Sequence, residues 1–158
     1  MTANFIIRPG MDDDAPALAE IFRRSIREVA SQHYRPAQIE AWVRFADETD
    51  AWHQRMRSRE VWVAETDGKP LGFIQFEPPD HIDLTYVHPE HQRCGVASAL
   101  LAKIEAVARS SGVPALTVEA SITSRPFFAA CGFEIIAPQI VTARGQDFLN
   151  YRMRKNLA

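Results

Sequence analysis

The sequence predicts an α/β fold with a mixed sheet and helices on both of its faces. Short apolar runs of strand-like composition recur along the chain, and segments with apolar residues at the spacing of an amphipathic helix separate them. The predicted order is one strand, several helices, three strands, a helix, a strand, a short helix and two strands, which gives seven strands. A chain of 158 residues is about one domain long, so a single domain over residues 1–158 is expected.

The first third of the chain contains one predicted strand and three predicted helices. Residues 5–8 form an apolar run that a Pro-Gly pair closes, which is typical of a strand. Residues 12–29 begin with three aspartates and continue with apolar residues at helical spacing, which predicts an amphipathic helix. Pro36 suits the first turn of a second helix, and residues 51–59 predict a third, shorter one.

The rest of the chain is predicted to alternate between strands and helices. Apolar runs on either side of the Asp67-Gly68 turn predict a hairpin over residues 61–76, and residues 81–87 predict the next strand. Apolar residues on one face of the segment 97–108 predict a strong helix. The remaining predicted elements are strands at 116–120, 133–136 and 148–153 and a short helix at 124–131.

Composition and charge narrow the classes of function. The chain is 46% hydrophobic and 24% charged, as in ordinary globular proteins. Its net charge is -2 and its basic residues are scattered, which argues against a nucleic-acid partner. The sequence has neither a signal peptide at its start nor a run near the ~20 apolar residues of a membrane span, so a cytoplasmic protein without a membrane partner is expected. The two cysteines, Cys94 and Cys131, are expected to be free thiols.

The most informative segment, residues 86–98, runs from a strand through a tight loop directly into a helix without a side-chain cap. Such a junction points several backbone N–H groups at one place, and the helix dipole adds positive charge there. Small residues at Gly95 and Ala97 leave room for phosphate oxygens to reach the amides, and Arg93 adds a charged donor. The segment therefore predicts a pyrophosphate site.

Two motifs resemble those of the GCN5-related N-acetyltransferase (GNAT) family. The spacing Gln92-x-x-Gly95-x-Ala97 after a strand is similar to the family's acetyl-CoA signature, and residues 127–133 resemble its late helix-turn-strand pattern. The order of elements agrees over residues 5–154. The resemblance implies a mostly antiparallel sheet in which two central strands splay into a V, and it implies acetyl-CoA as the acetyl donor for an amine.

The resemblance also implies which residues contact acetyl-CoA. The pantetheine arm is expected beside the strand that ends at Val87, and the pyrophosphate is expected on the amides of residues 93–98. The predicted cofactor-binding residues are Tyr86, Val87, Gln92, Arg93, Cys94, Gly95, Val96, Ala97, Ser98, Ser121, Phe127 and Phe128.

The same resemblance suggests catalytic candidates. His81 stands at the strand position where family members carry a catalytic Glu or His, and a histidine is a suitable base at neutral pH. Asp83, two residues on, is predicted to orient His81 or to act as the base itself. Phe128 stands where many members have a tyrosine general acid, so Tyr151, Tyr86 or water would have to protonate the leaving thiolate.

The acceptor is not identified by the sequence. His33 and Tyr34 are predicted to border its pocket, since the corresponding loop does so in the family. Trp42, Trp52 and Trp62 are interpreted mainly as core residues, and a position in the acceptor pocket stays open as the alternative for Trp42. Amino acids, polyamines, aminoglycoside-like compounds, peptides and protein amines all remain open as acceptors.

Three further expectations complete the sequence-based interpretation. No metal is expected, because His88 and His91 lack further ligands at recognisable spacing. A homodimer is one expectation, since the family often forms dimers. Two alternatives to an active enzyme remain open: an acyl-CoA sensor that has lost turnover, and an interaction domain that has kept only the fold.

Overall fold

The computed structural model describes residues 4–158, and these form a seven-stranded sheet with helices on both faces. The strands are β1 (Ile6–Pro9), β2 (Glu60–Thr66), β3 (Lys69–Glu77), β4 (His81–Val87), β5 (Ala115–Ser121), β6 (Glu134–Ala143) and β7 (Gln146–Asn156). The helices are α1 (Ala15–Glu28), α2 (Pro36–Asp47), α3 (Thr49–Arg57), α4 (Val96–Ser110) and α5 (Arg125–Ala130). The predicted order of elements is confirmed.

The centre of the sheet opens into a V between β4 and β5. The strands lie in the order β1-β2-β3-β4-β5-β7-β6, and every neighbouring pair is antiparallel except β4 and β5. Only His81 and Ile82 of β4 pair with β5, opposite Thr117 and Val118, although both strands continue beyond these positions. The mostly antiparallel sheet and its splayed central strands are therefore confirmed.

Two apolar clusters cover the two faces of the sheet. On one face, α4 packs through residues such as Leu100 and Ile104, and Phe128 of α5 joins the same cluster. On the other face, α1, α2 and α3 pack around Trp52, whose indole is buried and donates to the Ala15 carbonyl at 2.9 Å. Within residues 4–158, no helix has the length and apolar character needed to cross a membrane.

The last hairpin is longer than predicted. The sequence predicted strands at 133–136 and 148–153, whereas β6 continues to Ala143 and β7 begins at Gln146. Pro138 makes the middle of β6 look like a break in the sequence. However, β6 is an edge strand with β7 as its only neighbour in the sheet, and an edge strand tolerates a proline because half of its N–H groups have no ladder partner.

Close packing against β3 positions the start of α4. A Cβ added to Gly72 of β3 would lie 2.9 Å from the Tyr86 carbonyl oxygen and 3.0 Å from Val96 Cγ1. The absence of a side chain at Gly72 therefore lets the first residue of α4 sit directly on the sheet, next to the V. The N-terminus of α4 and the splayed strands thus face the same space.

Candidate active site

The loop between β4 and α4 turns sharply through two residues in left-handed conformations. Arg93 has φ of 59° and Gly95 has φ of 82°. The Gln92 side chain closes the loop, because its Nε2 donates to the Val87 carbonyl at 2.8 Å. A Cβ on Gly95 would meet no atom within 4 Å, so the space beside it is open. The backbone conformation, and not crowding by protein atoms, favours glycine at this position.

The start of α4 offers a set of unpaired backbone donors. Gly95 is the N-cap residue and α4 has no side-chain cap. Among residues 4–158, the amides from Cys94 to Ser98 have no protein acceptor. Unpaired amides and the positive end of a helix dipole together form a site for an anion. The geometry of these residues therefore fits the pyrophosphate of a coenzyme A derivative.

A cleft of about 1110 Å³ extends from these amides through the V to the helices on the other face of the sheet. With the exception of Cys94, all of the predicted cofactor, catalytic and acceptor residues line this cleft. The structure thus brings together residues from positions 33 to 128 of the chain. Their individual roles stay predictions.

Two predicted cofactor residues already have partners within the protein. The Ser121 hydroxyl donates to Ser124 Oγ and accepts from the Ser124 amide, both at 3.0 Å, which fixes the turn after β5. The Phe128 ring is 2% exposed and packs against Phe127 and Phe133, with ring centroids 5.1 and 5.2 Å away. Phe128 therefore supports the wall of the cleft from the core side.

His81 lies where the V closes, and its surroundings define which nitrogen can accept a proton. Its Nδ1 is 2.9 Å from Thr117 Oγ1, and this hydroxyl donates to the Asp80 carbonyl at 3.4 Å. A hydroxyl has one proton, so Thr117 accepts from His81 when it donates to Asp80. The proton of neutral His81 is then on Nδ1, which leaves the Nε2 lone pair available as a base.

Asp83 is held by two arginines rather than by His81. Arg55 donates to its carboxylate through Nε at 3.0 Å and also through Nη2, and Arg59 Nε is 3.3 Å away. The register of β3 and β4 shifts beside Asp83, and this irregularity lets its side chain meet α3. Both guanidinium groups contact Asp83 Oδ2, so Asp83 is better placed as a structural anchor between β4 and α3 than as a base facing the acceptor.

The two predicted acceptor residues differ in how firmly they are held. The Tyr34 side chain is buried, and its hydroxyl donates to the Leu149 carbonyl at 2.6 Å and accepts from the Ile122 amide at 2.9 Å. Its ring lines the cleft while its hydroxyl joins the ends of β5 and β7. His33 is exposed at the rim, with Nδ1 2.9 Å from Thr123 Oγ1.

Four further residues line the cleft. Three of them were not singled out in the sequence, and the fourth, Trp42, was interpreted mainly as a core residue. Trp42 is half-buried and lines the cleft, whereas a core position had been favoured, and Phe148 packs beside it. Glu119 presents an exposed carboxylate from β5, and Asn150 lines the cleft from β7. Only the splaying of β4 from β5 opens this space, so alternation within single strands could not identify the strand residues Glu119, Phe148 and Asn150.

Other reactive side chains do not form a separate centre in the described part of the chain. Cys94 and Cys131 are free thiols. Burial raises the pKa of the Cys131 thiol, which disfavours its reactive thiolate form. No group of three or more His, Cys, Asp and Glu side chains converges as for a metal ion within residues 4–158.

Comparisons with known proteins agree with this geometry. Residues 30–155 match a family model described as an acetyltransferase (GNAT) domain. The uncharacterized N-acetyltransferase YafP of Escherichia coli (strain K12) is 42% identical over 151 residues, which cover 96% of this chain and 95% of that protein.

Solved structures show the same fold. A GCN5-related N-acetyltransferase from Rhodopseudomonas palustris has a TM-score of 0.95 at 32% identity, over 99% of this chain and 98% of that one. The PaiA N-acetyltransferase of Thermoplasma acidophilum, solved in complex with coenzyme A, has a TM-score of 0.80 at 19% identity, over 98% and 99% of the two chains. With most of its length matched by the family model and by a close sequence relative, the chain belongs to the GNAT family of acetyltransferases.

Proposed function

We propose that this enzyme binds acetyl-CoA at the N-terminus of α4 and transfers the acetyl group directly to the amine of a small acceptor. The observation that carries the proposal is the set of unpaired amides at residues 94–98, which open onto the same cleft as His81. The coenzyme A complex of the PaiA protein, which shares the fold, supports the choice of donor. A single domain and a cytoplasmic location are part of the proposal and rest on chain length and composition, and the homodimer stays a prediction.

The chemistry assigns a role to each side of the cleft. When bound, acetyl-CoA supplies a thioester carbonyl, and a C–N bond to the amine forms as the C–S bond breaks. His81 Nε2 accepts the proton that the nitrogen loses, since Nδ1 is committed to Thr117. The loop closed by Gln92 and the first turn of α4 hold the pyrophosphate, which keeps the thioester oriented toward the V.

The leaving thiolate must finally gain a proton. Phe128 has none to give. Burial raises the pKa of the Tyr86 phenol, which keeps it protonated but makes it a weaker acid than an ordinary tyrosine. Tyr86 lines the cleft, however, and Tyr151 is not among the residues that line it. Tyr86 is therefore the preferred donor among Tyr86, Tyr151 and water. A thiol with an ordinary pKa of about 8.5 is a fair leaving group, so loss of this donor is expected to slow turnover without abolishing it.

Calorimetry with acetyl-CoA tests the binding half of the proposal. Gly95→Glu places a negative side chain beside the unpaired amides and should abolish binding. Gly112→Glu is the matched control, because Gly112 also has a positive φ, of 73°, and open space around it, but follows the other end of α4. Binding that is lost only in Gly95→Glu is the expected result. Absence of binding to the unmodified protein would overturn the proposal and favour an interaction domain.

Release of free thiol in the presence of an amine panel tests the turnover half. His81→Gln should lower kcat by about 100-fold or more while leaving acetyl-CoA binding unchanged. Glu119→Gln is the informative comparison, because Glu119 is an exposed carboxylate in the same cleft and should have a smaller effect. A larger loss of kcat in Glu119→Gln than in His81→Gln would instead identify Glu119 as the base. If acetyl-CoA binds but no amine in the panel causes thiol release, the result would favour the alternative of an acyl-CoA sensor that has lost turnover.

A further inference from the structure

The acceptor side of the cleft has an aromatic wall. Five aromatic side chains line it, from the loop after α1, from α2, from β4 and from β7: Tyr34, Trp42, Phe45, Tyr86 and Phe148. Trp42 is half-buried and stands nearly perpendicular to its neighbours, at 80° to the Tyr34 ring and 72° to the Phe148 ring. Rings in this arrangement present both faces and edges to a ligand. A flat aromatic ligand can stack on one ring and contact the edge of another.

The wall is fixed before any acceptor arrives. The Tyr34 hydroxyl is held by the Leu149 carbonyl and the Ile122 amide, and the Phe148 ring lies 6.0 Å from both Tyr34 and Trp42. Aromatic side chains have few rotatable bonds, and rings that pack against one another lose little further freedom on binding. The wall is therefore a preorganised surface for a rigid apolar group.

The charges of the cleft argue against a polycationic acceptor. The acidic side chains that line it are Asp83 and Glu119. Arg55 and Arg59 neutralise Asp83, so Glu119 is left as the carboxylate available to an ammonium group. A polyamine or a lysine-rich peptide would need several carboxylates spaced along the cleft. One available carboxylate suits an acceptor with a single amine.

Two polar atoms in the cleft lack partners. Asn150 Oδ1 and Thr85 Oγ1 are buried and have no hydrogen-bond partner within residues 4–158, and both residues line the cleft. Asn150 is on β7 opposite Ser121, next to the turn that Tyr34 holds. A buried acceptor without a donor is costly, and the N–H groups of an amine would satisfy it. Asn150 is thus placed to orient the acceptor nitrogen.

We propose that the acceptor is a small aromatic monoamine, whose ring packs against Trp42 and Phe148 and whose nitrogen donates a hydrogen bond to Asn150 Oδ1. This inference rests on the proposed acetyl transfer and specifies its acceptor class. The ring of the acceptor makes apolar contacts with the aromatic wall. Its single amine matches the low negative charge of the cleft, and Asn150 Oδ1 orients the nitrogen within the cleft. Asn150 is opposite Ser121 and His81 is opposite Thr117, four residues away along β5, so the proton passes from that nitrogen to His81 through bridging water as the C–N bond forms.

Initial rates with matched amines test the acceptor class. Phenethylamine and cyclohexylethylamine have the same carbon skeleton and differ in whether the ring is flat, and spermidine represents the polycations. The expected kcat/KM for phenethylamine exceeds that for either alternative by about tenfold or more. A preference for cyclohexylethylamine or spermidine would overturn the inference and leave acetyl transfer intact. Failure of acetyl-CoA to bind would overturn the proposed function, and this inference with it.

Substitutions in the aromatic wall test whether these residues cause the preference for an aromatic amine. Trp42→Leu and Phe148→Leu should each raise KM for phenethylamine by about tenfold and leave the Kd of acetyl-CoA within about twofold. Asn150→Leu should also lower kcat, because the nitrogen loses its orientation. Trp62→Leu is the matched control, since Trp62 packs under Lys103 outside the cleft, and it should change none of these values. Unchanged KM in both wall variants would overturn the inference.

Discussion

The His81 imidazole and the Thr117 hydroxyl, 2.9 Å apart, join β4 to β5 within the two-residue stretch where the strands pair, next to the last pair, Ile82 and Val118. Beyond this point the strands separate and the cleft begins. The same hydrogen bond therefore closes the V and determines the tautomer of the candidate base. Thr117 is not among the residues that line the cleft, so it acts on the reaction only through the orientation of the His81 ring.

Thr117→Val tests this positioning role. The variant keeps the shape of the side chain and removes the hydroxyl, so the His81 ring loses its fixed tautomer and orientation. We expect kcat to fall by about tenfold, with the KM of acetyl-CoA unchanged, in steady-state thiol-release assays. Thr117→Ser restores the hydroxyl and should restore kcat. Equal loss of activity in both variants would point to a packing defect instead.

Local patterns in the sequence are sufficient to predict the loop and the uncapped helix that we propose as the cofactor site. The loop from Gln92 to Gly95 and the start of α4 follow one another along the chain, so the strand, the glycine and the uncapped helix are visible as one pattern. The order of strands and helices along the chain follows from the same kind of local pattern. These are features that neighbouring residues determine by themselves.

The acceptor side depends on residues that are far apart in the sequence. Tyr34 reaches the Leu149 carbonyl across 115 residues, and Arg55 reaches Asp83 across 28. The irregular pairing of β3 and β4 that directs Asp83 toward α3 has no local signal in the sequence. Glu119 was not singled out in the predicted strand 116–120, because only the splaying of β4 makes its face of β5 the wall of a cleft.

Asp83→Asn tests whether Asp83 is an anchor or a base. The carboxylate pairs with Arg55 and Arg59 and its side chain is 16% exposed. Its removal takes the carboxylate away from Arg55, and it leaves Arg59 with its second, more exposed partner. We expect the free energy of unfolding in urea to fall by about 1–3 kcal/mol. We also expect a much smaller loss of kcat than in His81→Gln.

Glu77→Gln is the control for this change, because Glu77 pairs with the same Arg59 at 3.2 Å but its side chain is 48% exposed. An exposed ion pair contributes little, so its loss should cost less than about 1 kcal/mol. A large loss of kcat in Asp83→Asn with unchanged stability would instead identify Asp83 as the base.

Gln92→Leu tests the loop that precedes α4. The Gln92 side chain donates to the Val87 carbonyl at 2.8 Å, and this bond closes residues 87–92 directly before the two left-handed residues, Arg93 and Gly95. Without it the amides of residues 94–98 lose their common orientation. We expect the Kd of acetyl-CoA to rise by about tenfold in calorimetry, a loss near 1.4 kcal/mol. A Kd equal to that of the unmodified protein would show that the backbone alone fixes the loop.

Asp14 links the stability of the fold to pH. Its carboxylate is buried at the start of α1, where Arg8 donates to both oxygens at 2.8 Å and the Met11 amide donates at 2.7 Å. The hydrogen bonds from Arg8 lower the pKa of Asp14 below its ordinary value of 3.8, although burial opposes this. The unfolded chain therefore binds a proton at a higher pH than the folded protein does.

The stabilising contribution of ionised Asp14 is fully present above the pKa of the unfolded chain and is lost as the pH falls through the lower pKa of the folded protein. Asp14→Asn should thus reduce the free energy of unfolding by about 1–3 kcal/mol at neutral pH. The difference from the unmodified protein should shrink as urea titrations are repeated below about pH 4. The neighbouring Asp13 is exposed, so Asp13→Asn should stay within about 0.5 kcal/mol of the unmodified protein at neutral pH. A constant difference for Asp14→Asn across this range would mean that its hydrogen bonds to Arg8 do not depend on ionisation.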